Sequence, residues 1–157
     1  MCEHCGCRGV EPIAELMDEH LALLELSGDV RRHLVAGDRG ATVEVLHEVA
    51  RQLGRHVARE ERGIFTALKD QGDFVEAIEE LEVEHVAFDA QLTALDPTAG
   101  EFADKVQVLL RELSEHIDKE NLGIFPVAVV TLGAAGWETI SRAHDADPSF
   151  LGDVAGA

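Results

Sequence analysis

Apolar residues recur at helical spacing along nearly the whole chain, and no stretch alternates apolar and polar positions as a half-buried strand would. The spacing predicts a first helix from about Pro12 to Val35, broken at "AGDRGAT", and a second from about Ala41 to Lys69, ending at "DQGD". A third runs from about Phe74 to Leu95 and stops at "DPTAG". The fourth starts near Glu101 and continues past Leu122, where Pro126 removes a backbone donor and bends its last part. A short fifth helix is expected around Trp137 to His144. Long helices with one apolar stripe each, joined by short breaks, predict an all-α protein, an up-down-up-down four-helix bundle with a short C-terminal fifth helix. The expected domains are a Cys-rich segment over 1–9, the bundle over 10–145 and a loose tail over 146–157.

The chain also repeats itself. Residues 51–68 aligned with 111–128 agree at Arg, Leu, His, Glu, Gly, Ile and Phe, seven of eighteen positions. A weaker echo pairs "DEHLALLEL" in the first helix with "VEHVAFDAQL" in the third, so the bundle reads as two related helix hairpins around a pseudo-twofold axis.

Within this frame four histidines stand where apolar side chains belong. The inward stripe of the second helix is Val49, Leu53, His56, Glu60, Ile64, Leu68, and that of the fourth is Leu109, Leu113, His116, Glu120, Ile124, Ala128. Residues four apart differ by about 40° around a helix, so each His and Glu project side by side toward the bundle axis. The third helix offers Phe74, Ile78, Leu81, His85, Phe88, Leu92, Leu95, and the first Ile13, Leu16, His20 and Leu23 or Leu24. His47 lies about 180° around the helix from His56, and His33 is likewise turned away from His20, so both are expected at the surface. Glu61, about 100° off the stripe, is also read as a surface residue.

Composition narrows the chemistry. The 157 residues carry a formal net charge of -18 and a pI of about 4.6, which disfavours nucleic acid and anionic membranes as partners. The sequence has no apolar run long enough to span a bilayer and no export-signal pattern at its N-terminus, so a cytoplasmic location is expected. Its three cysteines, Cys2, Cys5 and Cys7, fall together with His4 between them; this segment suits zinc, copper(I) or dithiol–disulfide cycling. Four imidazoles and two carboxylates buried in one layer would be costly without a compensating charge, which favours a metal cluster. Imidazole suits iron, zinc, copper or nickel and bridging carboxylates suit harder ions, so the mixture favours a pair of irons.

The ordered set "EH", "HVARE", "EH", "HIDKE", with "GIF" after each His-x-x-x-Glu, resembles the hemerythrin-like family, the HHE cation-binding proteins, over roughly residues 10–130. The resemblance implies two iron ions bridged by oxo or hydroxo, with His20, His56, His85 and His116 as terminal ligands and Glu60 and Glu120 as bridges. Oxygen-carrying hemerythrins have His-x-x-x-His on the third helix, where this chain has His85 followed by Asp89. Asp89 is expected to be an extra ligand, an acceptor for an imidazole N–H or a solvated surface residue. Without the fifth carrier histidine, the resemblance implies a site that binds or reacts with oxygen, hydrogen peroxide or nitric oxide, as sensor, scavenger or peroxide-decomposing protein. Iron storage or delivery, iron–sulfur repair, a reversible oxygen carrier and a zinc structural bundle are the alternatives.

Overall fold

The computed structural model describes Gly6 and residues 9–155, and every regular element among the described residues is helical. The expectations placed on Cys2, His4, Cys5 and Cys7 lie outside the described residues. Helix α1 spans Glu11–Val35, with Pro12 in its first turn, where a missing N–H costs nothing, and Arg32 and His33 in its last. Gly37, at φ 75°, turns the chain. Helix α2, Arg39–Glu60, begins two residues before the expected Ala41 because the Asp38 carboxylate accepts the Ala41 N–H at 3.0 Å and caps it.

A π turn over Glu61–Phe65 follows, then α3, Thr66–Gln71, which ends at left-handed Gly72. Helix α4 spans Val75–Ala94, and α5, Phe102–Lys119, leads into a second π turn, Glu120–Ile124, and then α6, Phe125–Thr131. Pro126, where a bend is expected, stands in the first turn of α6, just beyond this π turn. Steps of four residues drift by about 40° each on an α-helix, and the wider π turn takes up that drift. The runs His56, Glu60, Ile64, Leu68 and His116, Glu120, Ile124, Ala128 therefore stay on the buried side.

Helix α1 packs on α2 and α5, and α4 packs on the same two, so the long helices close a ring. Its interior holds three apolar clusters. One is built around Ile13, Phe65, Ile78 and Phe125, a second around Leu23, Leu53, Phe88 and Leu113, and a third around Val30, Val49 and Phe102. Phe74, expected in the stripe of the third helix, is instead 48% exposed at φ 58°, on the turn that enters α4.

The expected fifth helix is present, but the residues after it differ from expectation. Helix α7, Ala134–Ala146, lies against the first π turn, α3 and α1, and a short α8 spans Leu151–Ala155. Residues expected in a loose tail include Phe150, which is buried in the cluster around Leu23, while Arg55 bonds to the Pro148 carbonyl at 2.9 Å and to Asp153. One large aromatic seated in the core anchors the segment, a signal its polar neighbours hide. No helix among the described residues is long and apolar enough to cross a membrane.

Candidate metal centre

Each inward histidine sits between two apolar layers of its own helix. His20 lies between Met17 and Leu23, His56 between Leu53 and Ile64, His85 between Leu81 and Phe88, and His116 between Leu113 and Ile124, all of them buried. Helical periodicity thus brings four imidazoles and the fully buried Glu60 and Glu120 into one polar layer with hydrocarbon on either side. Phe125 stacks on His20 with ring centroids 5.4 Å apart, Phe65 stacks on His85 at 5.6 Å, and Phe88 meets His116 at right angles.

The six residues fall into two overlapping groups. His20, His56, Glu60 and Glu120 form one, and Glu60, His85, His116 and Glu120 the other; within each, one donor atom per residue lies within 4.8 Å of the rest. Both carboxylates are shared, and each turns a different oxygen to each half. Glu60 Oε1 lies 2.8 Å from His56 Nε2 and 3.3 Å from His20 Nε2, while its Oε2 lies 3.4 Å from His85 Nε2. Glu120 Oε2 lies 2.9 Å from His20 Nε2, and its Oε1 lies 2.8 Å from His116 Nε2.

This donor set fits cations. All four oxygens of Glu60 and Glu120, together with Nε2 of His20 and His56, are buried without a partner in hydrogen-bond geometry, although the atoms converge closely. Polar atoms buried in that way are costly unless something between them satisfies their lone pairs. The Nε2 atoms of His85 and His116 converge as well, 3.0 Å apart.

Without a cation, the layer's own charges must compensate one another. Burial lowers the His20 pKa, but contact with Glu120 and Glu60 outweighs it and pushes His20 up to about 10; the same balance takes His85 to about 11. Burial and the charge of Glu60 work to raise Glu120, and the three imidazoles around it pull it down to about 2 instead. Metal ions binding to such a layer displace its protons.

Behind the imidazoles stands a further set of residues that periodicity did not reveal. His85 Nδ1 lies 2.9 Å from Glu61 Oε1, and His116 Nδ1 lies 2.6 Å from Glu84 Oε2, whose other oxygen meets Lys119. His20 Nδ1 lies 2.8 Å from Asn121 Oδ1, and His56 Nδ1 lies 3.5 Å from Glu19 Oε2. Glu61, expected only at the surface, is correctly placed there by exposure but not by role. The π turns begin at Glu61 and Glu120, and consecutive residues diverge less around a π turn than around an α-helix, which lets Glu61 and Asn121 reach neighbouring helices.

Asp89 is exposed and belongs to neither group; Glu61 holds the position expected of it behind His85. His47 is exposed and His33 half-buried, both outside the layer. The signal for the outer set was present in the repeat: Glu19 and Glu84 precede His20 and His85, and Glu61 and Asn121 follow Glu60 and Glu120.

The model of the hemerythrin HHE cation-binding domain matches residues 11–128, which includes all six residues of the layer. No curated protein and no solved structure matches the chain. A match over most of the chain, with its His and Glu residues gathered into two cation-sized groups, makes this protein a member of the hemerythrin HHE cation-binding family.

Proposed function

We propose that the domain is a non-haem di-iron protein that binds or reacts with a small oxidant, with its ring of helices arranged up-down-up-down. In this reading His20 and His56 hold one iron, His85 and His116 hold the other, and Glu60 and Glu120 are shared by both. The observation that carries it is the division of each carboxylate between the two halves, one oxygen facing each imidazole pair. Two irons so held supply a redox couple and a coordination position for oxygen, hydrogen peroxide or nitric oxide.

The chain's residues set what can reach them. Phe65, Phe88 and Phe125 pack against three of the imidazoles, so a large organic substrate would have to displace core side chains. A cleft of about 280 Å³ lined by Leu53, Val57, Glu61, His85 and Val86 reaches the layer from outside, wide enough for a diatomic molecule or peroxide. Glu61 and Glu84, both partly exposed, link His85 and His116 to solvent. The acidity of the chain, at a formal net charge of -18, fits a protein without a nucleic-acid partner.

Among the described residues no fifth inward histidine joins either half, which favours turnover over reversible carriage. Iron(II)-loaded protein should therefore oxidise in air without a stable oxygen adduct. Its oxidised form should decompose hydrogen peroxide, an activity lost in His116→Ala. A long-lived adduct that releases oxygen under vacuum, with peroxide turnover no greater than that of free iron, would contradict this and favour a carrier.

A further inference from the structure

The pseudo-twofold repeat implies that the residues behind the four imidazoles come in matched pairs. One pair does match. Glu19 stands behind His56 and Glu84 behind His116, and each carboxylate has its own cation, Arg59 for Glu19 and Lys119 for Glu84. The other pair breaks the symmetry, because the positions after the two shared carboxylates hold Glu61 and Asn121. His85 therefore faces an anion and His20 a neutral amide at nearly the same distance, 2.9 and 2.8 Å.

This difference has a direction. An imidazole whose outer N–H donates to a carboxylate is a stronger metal donor than one donating to an amide. A further feature acts the same way. Glu84 approaches His116 at 2.6 Å, whereas Glu19 lies 3.5 Å from His56, beyond hydrogen-bond range.

We infer that the two metal positions are built unequal, that the His85/His116 position holds a divalent cation more tightly than the His20/His56 position, and that Glu61 and Asn121 set the difference as positioning residues. This rests on the two-metal reading above, and its test separates the two. Metal-free protein is loaded with cobalt(II), whose visible absorption reports its coordination, and the metal is withdrawn with excess EDTA.

Two ions per chain should leave in two phases. Glu61→Gln should speed the slow phase about ten-fold or more and leave the fast phase in place, whereas Asn121→Asp should slow the fast phase by a similar factor. The double variant should narrow or close the gap between the two phases, an outcome that general loosening of the fold, which speeds both, does not produce. Both side chains are partly exposed, so the variants should keep wild-type helix content. Two ions leaving the wild type in one phase, or each single variant shifting both phases equally, would overturn the inference alone. Uptake of a single ion would overturn the two-metal reading and the inference with it.

Discussion

The two helix hairpins carry the same motif in different surroundings. In the hairpin of α1 and α2, the Glu19–Arg59 pair is sealed under the C-terminal segment: Arg59 donates to the carbonyl oxygens of Asp147 at 2.5 Å and His144 at 3.3 Å, and Ser149 donates to Glu19 at 3.1 Å. In the hairpin of α4 and α5, the corresponding Glu84–Lys119 pair lies at the surface, 30% and 58% exposed. The repeat therefore supplies the inward His and Glu residues twice. The segment after the repeat buries only one copy's outer residues, so equivalent ion pairs contribute by different physics.

The largest effect should come from the segment's anchor. Phe150→Ala empties a fully buried aromatic site, which typically costs about 3–5 kcal/mol. Denaturant unfolding measures it, and a cost below about 1 kcal/mol would show that residues 147–155 are peripheral after all.

Next is Arg59→Ala, which leaves buried Glu19 without its cation and should cost about 3 kcal/mol, a drop of roughly 6–12 °C in Tm for a chain of this size. An effect no larger than that of an exposed pair would erase the distinction between the hairpins.

A smaller, pH-dependent effect is expected at His144 in α7. Burial and the nearby charge of Arg59 push its pKa down to about 4, below the 6.5 of the unfolded chain. The unfolded state therefore takes up the proton first, and the stability contributed by neutral His144 is intact above pH 6.5 and lost as pH falls toward 4. His144→Phe should flatten this part of the stability–pH curve relative to wild type; parallel curves would contradict the assignment. Smallest of all is Lys119→Ala, which breaks an exposed pair and should change stability by less than about 1 kcal/mol.

The helices and the six-residue layer were legible because both follow from periodicity along single helices. His56 and Glu60 share a face whatever their neighbours do, and so do His116 and Glu120. The residues behind the imidazoles depend on which helices become neighbours. Glu84 reaches His116 from another helix, and Glu61 reaches His85 on the neighbouring one, contacts that no spacing within one helix predicts. The π turns were hidden for a related reason: a run of four-residue steps reads as an ordinary stripe until its accumulated drift is compared with the burial of Ile64 and Leu68. Phe150 was missed because a single aromatic among polar residues has no period at all.

The central claim is that one buried layer holds two metal ions through shared carboxylates, and metal content per chain tests it most directly. Protein produced with ample iron and stripped of loosely bound metal should retain two irons per chain. Glu60→Ala and Glu120→Ala should each lose most of that iron and melt below the parent, while His33→Ala and His47→Ala keep it. One tightly bound ion, zinc filling the site despite the iron, or iron lost as readily from the two histidine controls would contradict the account.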